Sequence, residues 1–182
     1  MLNSMMDIDE AIKGRRSVRT YKSDEVGEDL VRQIIEAATY APSAKNGQQW
    51  RFTVLTGESK DKFTDLYRSK LNTLTFDVGS SFGSCDMMEE APVVIVVWNT
   101  HQFGWQTEAH SVAAAIQNML LKAHSLGLGT CWIGDIFYTY EAIMDYFKKP
   151  WKLLAAITLG WPEVIPGSRE RLSVDDVAEF LV

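Results

Sequence analysis

The run 92-PVVIVVW-98 offers no polar residue to either side of a strand. A strand apolar on both faces has to be covered on both, and helices are the usual cover. The run 153-LLAAITLG-160 reads as a second buried strand, 51-RFTVLT-56 as a third, and 130-TCWIG-134 as a short strand or loop. Around them the apolar spacing predicts helices. Asp7 can cap one over residues 8–14, with Ile8, Ala11 and Ile12 on one face. Another starts near Glu28, carries Leu30, Val31, Ile34, Ile35 and Ala38 inward, and is stopped by Pro42. A third covers residues 60–71 with Phe63 and Leu66 inward. The longest spans 107–126 with a stripe of Ala109, Val112, Ala113, Ile116, Leu120 and Ala123, and ends at Gly127 and Gly129. Residues 139–148 form a further helix, and Ser173 with Asp176 spells a capping box for a C-terminal one. The stretch 42-PSAKNGQQ-49 reads as a polar loop. Residues 72–90 fit no element; Gly79, Ser80, Ser81, Gly83 and Ser84 point to mobility there. Helices and apolar strands are mixed along the chain, which gives an α+β fold in three layers.

There is no internal repeat or linker-like tract, so residues 1–182 read as one domain. A chain of 182 residues buries roughly 70% of its unfolded surface, ample for one core. The net charge of −6 argues against sequence-independent nucleic-acid binding, which needs a basic face. The longest apolar run, 91–98, is too short to span a bilayer. The start, MLNSMMDIDEA, lacks the basic and apolar regions of a secretory signal, and two cysteines make a disulfide framework unsupported. A cytoplasmic protein, without membrane or nucleic-acid partners, is the expectation.

Familiar catalytic motifs are missing. No GxGxxG follows a strand, and neither GxxxxGK[ST] nor GxSxG occurs. His101, His110 and His124 are scattered, and no His/Cys/carboxylate spacing suggests a metal. Positive charge, by contrast, is concentrated in 14-GRRSVRTY-21: Lys13, Arg15, Arg16, Arg19 and Lys22 fall within ten residues with no acid among them. Guanidinium groups match phosphate oxygens bidentately, and Ser17 adds a hydroxyl donor. A solvated helix end would also account for the charges. If the segment is extended, Arg15, Ser17 and Arg19 face one side and Arg16 the other.

GRRSVRTY, together with 41-APSAKNGQQW-50, 127-GLGTCWIG-134 and the late 158-TLGWPEVIPGSRERLSVDDV-177, resembles the nitroreductase family of FMN-dependent oxidoreductases. The motifs come in the family's order and span almost the whole chain. The resemblance implies a three-layer α/β/α fold around a mainly antiparallel sheet, in a domain-swapped-style homodimer. It implies FMN as cofactor and NADH or NADPH as electron donor. The acceptor would be a flat electron-poor small molecule such as a nitroaromatic or quinone, in ping-pong hydride transfer. Arg15, Arg16 and Ser17 would hold the phosphate and ribityl chain, and Arg169 and Arg171 would form a second phosphate-binding pair. Arg19 would reach the pyrimidine edge, where reduction gathers negative charge. Pro42, Ser43, Ala44 and Asn46, with Gln48 beside them, would come from the other subunit. Cys131, Trp132, Ile133 and Gly134 would lie beside the ring. Read without the resemblance, Cys131 is a packing residue, Trp132 is core, Arg169 and Arg171 are surface charge, and Asn46 and Gln48 are turn-formers. A specialised relative that fragments flavin or reduces a double bond is a second reading. A flavin-binding or sensing module without turnover is a third. Two departures stand out: Gln49 precedes Trp50 where many relatives have proline, and 72–90 falls where members differ in the lid.

Overall fold

The computed structural model describes residues 6–100 and 105–181. Four strands, β1 (Trp50–Thr56), β2 (Val93–Asn99), β3 (Gly129–Ile133) and β4 (Lys152–Gly160), form one sheet in the order β1-β2-β4-β3. Every neighbouring pair is antiparallel. The helices are α1 (Ile8–Gly14), α2 (Glu28–Thr39), α3 (Gly57–Leu71), α4 (Ser81–Glu90), α5 (Trp105–Ser125), α6 (Tyr140–Phe147) and the one-turn α7 (Val174–Val177). Short 3-10 turns occupy Ala44–Asn46 and Asp135–Thr139.

The central strand explains the layering. All seven β2 residues are buried. Val93, Ile95 and Val97 pack with α2 and α5, including Ile34, Val112, Ile116 and Met119. Val94, Val96 and Trp98 pack on the other side with Phe63, Tyr67, Cys85, Met88 and Ile143 from α3, α4 and α6. Full burial of one Val or Ile side chain stabilises by about 1.5–3 kcal/mol, against about 0–1 for an exposed ion pair such as Arg32–Glu28. The sandwich, not the surface charge, holds the fold.

Several expectations change in detail. The 72–90 stretch is not a mobile segment: α4 fills its second half and packs against α3. Its inward positions are Ser81, Ser84, Cys85 and Met88, correct helical spacing in small or polar residues. On α3 the fully buried positions are Phe63 and Tyr67, with Leu66 only half-buried. Lys60 is buried too, because its Nζ donates to the carbonyl of Glu89 at 2.7 Å and caps the end of α4. Gly127 ends α5 with φ +79°, as its position after the helix predicts. The capping box at α7 forms as read: Ser173 N–H donates to Asp176 Oδ2 at 2.9 Å and Asp176 N–H to Ser173 Oγ at 3.3 Å. The Ser173 hydroxyl, donating to Asp176 Oδ2 at 2.7 Å, and then the Ser173 N–H hold the Asp176 carboxyl below the usual carboxylate range.

The arginine segment is extended and sewn to one end of the sheet. Ser17 bridges Thr130 in parallel, and Val18 N–H donates to the Thr130 carbonyl at 2.9 Å. Tyr21 bridges Pro162, and its hydroxyl donates to the Val18 carbonyl at 2.8 Å while meeting Thr158 Oγ1 at 2.7 Å. This approach needs Gly129: a Cβ there would lie 2.8 Å from Cβ, Cγ1 and Cγ2 of Val18. A β-branched side chain fixed by its own backbone hydrogen bond has no rotamer that escapes. Gly129→Ala is therefore expected to cost about 1–3 kcal/mol, or roughly 2–10 °C in Tm for a chain of this size. Adding Val18→Ala should return a large part of it, read as non-additivity in thermal melts. Additive losses would show that Gly129 is not the contact that matters.

Candidate active site

Two adjoining cavities share Arg19. The first, of 240 Å³, is lined by Arg15, Arg16, Ser17, Arg19, Pro166, Gly167, Arg169 and Arg171. It joins the segment after α1 to the chain beyond β4, more than 140 positions apart in sequence. Glu163 N–H donates to the Thr20 carbonyl at 3.0 Å and Lys22 N–H to that of Trp161 at 2.9 Å, so the two strands of chain run side by side. Five guanidinium groups face this space and no carboxylate lines it. Such a cluster repels itself unless an anion is present, which is the test a phosphate group passes here.

Arg16 does not point away as strict alternation predicts; it lines the same cavity as Arg15. It sits two residues past the end of α1, and its Nη1 folds back to donate to the carbonyls of Lys13 at 2.6 Å and Arg15 at 2.9 Å. That grips the negative end of the helix while leaving positive charge on the cavity. Behind both arginines lies a smaller space of 140 Å³ that also holds His124. Burial first, then the charges of Arg15 and Arg16, keep the imidazole pKa below its ordinary value. His101 lies outside the described residues.

The second cavity, of 560 Å³, is lined by Arg19 and by Cys131, Trp132, Ile133, Gly134 and Asp135. Its opposite wall is α4, through Ser80, Gly83, Ser84, Asp86, Met87 and Glu90. On β3, Cys131 and Ile133 turn inward, whereas Trp132 turns out and is 39% exposed. So Trp132 is not core, contrary to the simplest reading of its sequence; it is an exposed wall of the cavity. Cys131 is a packing residue as read, and burial raises its thiol pKa. Cys85 is pushed to about 12 by the same cause and is an inert thiol. Asp135 Oδ2 accepts from Ser84 Oγ at 2.9 Å and from Ser80 Oγ at 3.4 Å, which clamps the start of α4 to the end of β3. Its Oδ1 is buried with no hydrogen-bond partner among the described residues.

The loop residues stand apart. Pro42, Ser43, Ala44, Asn46 and Gln48 line neither cavity. Ser43 and Ala44 are half-buried, while Pro42, Asn46 and Gln48 are exposed. The loop is nonetheless held firmly: Ala44 N–H donates to Ser111 Oγ at 3.2 Å and Gln48 N–H to Ser43 Oγ at 3.1 Å. Lys45, Asn46 and Gln48 all adopt positive φ, a strained choice for side-chain-bearing residues. Gln49, where proline is common in the family pattern, is fully buried rather than part of a polar loop. A larger cavity of 690 Å³ between α2 and β1 contains none of the candidate residues. Among the described residues no group of three His, Cys, Asp or Glu side chains could hold a metal ion. None of the described helices is long and apolar enough to cross a membrane.

Sequence reasoning missed the α4 wall, Asp135, Pro166 and Gly167. The i, i+3, i+4, i+7 burial of Ser81, Ser84, Cys85 and Met88 was the available signal, hidden because those residues are not strongly apolar.

This fold and pair of cavities define a flavoprotein-like oxidoreductase architecture, and residues 12–161 match the family described as the nitroreductase family. The chain belongs to that family. A Methanothermobacter thermautotrophicus protein, provisionally named an NADH dehydrogenase/NAD(P)H nitroreductase, is 34% identical, covering 96% of this chain and 87% of its own. A provisionally assigned nitroreductase of Desulfovibrio desulfuricans, solved in complex with FMN, superposes with a TM-score of 0.82. It is 28% identical and covers 97% of this chain and 98% of its own. The FMN-dependent nitroreductase NfnB of Mycobacterium smegmatis, solved with NADPH, shares the fold with a TM-score of 0.77 at 19% identity. Coverage there is 95% of this chain and 97% of that one.

Proposed function

We propose that the protein is a homodimeric FMN-dependent NAD(P)H oxidoreductase acting on flat electron-poor acceptors such as nitroaromatics or quinones. The observation that carries this reading is the convergence of Arg15, Arg16, Ser17, Arg169 and Arg171 on one acid-free cavity that opens, through Arg19, beside a second cavity of 560 Å³. Arg15, Arg16, Arg169 and Arg171 in the first cavity would hold the phosphate of FMN, and the lining of the second would take its ring. When bound, FMN supplies the electron transfer between donor and acceptor.

The chain's own part is binding and electrostatics. Arg15, Arg16, Arg169 and Arg171 would neutralise the phosphate, and bidentate geometry would fix its orientation. Arg19, placed at the junction, holds positive charge where reduction concentrates negative charge. The β3 segment from Cys131 to Gly134 walls one side of the ring cavity, and the Asp135–Ser84 bond keeps the α4 wall in register with it. Donor and acceptor would use this one cavity in turn, which gives ping-pong kinetics without a separate nicotinamide fold. The loop at 42–48, which lines neither cavity, and the exposed apolar side chains Leu172, Val174, Val177, Phe180 and Leu181 beyond the phosphate cavity support a second copy.

The test is anaerobic mixing of the FMN-loaded protein with NADH or NADPH. Bleaching of the flavin, with parallel double-reciprocal lines in steady state, is the expected result. In Arg19→Ala the bleaching should slow by about 100-fold, equivalent to about 3 kcal/mol of transition-state stabilisation, with a smaller loss of FMN affinity. No bleaching with either donor would leave only a flavin-binding module.

A further inference from the structure

Trp132 is an exposed aromatic wall of the ring cavity, and the stretches of chain that supply the other lining residues carry four more uncovered rings. Trp132 lines the cavity; Phe82 lies between its lining residues Ser80 and Gly83, and Phe137 and Tyr138 follow Asp135 directly. Phe76 meets Tyr138 at a ring-centroid distance of 5.8 Å. These five rings come from two separate stretches of chain, and each is between 38% and 56% exposed. Trp132 is the one that lines the cavity, and an exposed aromatic wall there suits an apolar, flat ligand.

Charge narrows what that is. Arg68 binds both Asp86, at 2.6 Å, and Glu89, at 2.8 Å, so this group keeps one net negative charge at the α4 wall. Glu90 and Asp135 add two more to the lining, and Arg19 removes one. The cavity is left with two net negative charges beside Trp132, while all the remaining guanidinium groups of the site sit in the neighbouring phosphate cavity. Aromatic faces and carboxylates attract the same ligand: a cation, best a flat one.

We propose that this site prefers aromatic cations, such as N-alkylated heteroaromatic or arylammonium acceptors, over neutral ones and discriminates against anionic aromatics. The inference rests on the functional reading above for the site's role as the acceptor cavity, and concerns only which acceptors it takes.

Binding can be separated from turnover with ligands that cannot be reduced. Phenyltrimethylammonium, tert-butylbenzene and benzenesulfonate have similar bulk and carry charges of opposite sign or none. Titrated into the FMN-loaded protein and followed by flavin absorption and tryptophan fluorescence, the cation should bind about 10-fold or more tighter than the sulfonate at low ionic strength. The gap should shrink to about 3-fold or less near 0.5 M salt, where the screening length falls to a few ångströms. Glu90→Gln should narrow the preference, and Trp132→Leu should weaken the cation more than the neutral ligand. The kcat/KM values of 4-nitrophenyltrimethylammonium and 4-nitrobenzenesulfonate should follow the same order. Equal binding of the three ligands, tighter binding of the sulfonate, or binding of none because a partner subunit covers the rings would overturn the proposal. Those results leave the oxidoreductase reading intact as long as NAD(P)H bleaches the flavin. Failure of bleaching sinks that reading while the charge preference in binding still stands or falls by the titrations alone.

Discussion

Replacing Arg15 and Arg169 together by alanine is expected to weaken FMN binding by about 100- to 20,000-fold and to leave riboflavin binding nearly unchanged. The size follows from two charge-assisted contacts at about 1.5–3 kcal/mol each, with tenfold in affinity for every 1.4 kcal/mol. The two residues approach the same cavity from opposite ends of the chain, so neither compensates for the other. Arg169 is exposed and Arg15 half-buried outside both main core clusters, which makes unfolding a poor explanation for any loss. Riboflavin supplies the same ring and ribityl chain without the phosphate, and therefore isolates the contact in question. The lysine pair should fall between, keeping charge but losing the planar fork. A second readout lies behind the cavity. His124 is held low partly by Arg15, so removing that charge should raise its titration midpoint, visible by NMR without any ligand. If FMN and riboflavin weaken alike, the arginines shape the pocket generally and do not grip a phosphate.

How much of this was open to reading depends on the physics of each element. The buried strand β2 was legible because two covered faces leave no place for a polar residue, and all seven are buried. The phosphate cavity was legible in part because an anion needs several guanidinium groups, and four of the five fall in two short runs, Arg15–Arg16 and Arg169–Arg171. Their meeting was not visible from charge alone; it depends on the extended chain segments pairing after Thr20 and Trp161. The α4 wall was hidden for a different reason. A helix buried through Ser81, Ser84, Cys85 and Met88 gives almost no apolar periodicity, and Gly83 reads as a breaker. Tertiary contact with α3 decides it instead. Trp132 failed for the shortness of its strand: over five residues, alternation cannot tell which side of β3 holds solvent. Gln49 was assigned to a polar loop by composition, yet the chain buries it against the start of β1.

A mixed dimer should hold close to one full-strength FMN site and one empty one when each subunit carries a different lesion. Arg16 lines the phosphate cavity of its own chain, whereas Ser43 and Asn46 line no cavity of theirs despite a loop pinned in strained backbone geometry. Strain of that kind persists where the surroundings over-determine it and a function uses it. Beyond β4 the chain exposes Val164, Ile165, Leu172, Val174, Val177, Phe180 and Leu181, each at least 60% accessible. Seven apolar side chains along one terminal segment are uncovered in a single copy, and a second copy related by twofold symmetry would cover both segments at once. One subunit would carry Arg16→Ala and the other Ser43→Ala with Asn46→Ala, each with its own tag, and the heterodimer is isolated by both tags. If each site takes its arginines from one subunit and its loop from the other, all lesions collect in one site and the second is intact. The mixed dimer then binds about one FMN and turns over at about half the wild-type rate, as twofold site sharing requires. Both parent homodimers are impaired at both sites. Should each subunit build its own site, the mixed dimer has a lesion in both, and neither binds FMN with wild-type affinity. That result, or an active FMN-loaded monomer by light scattering, excludes the shared site.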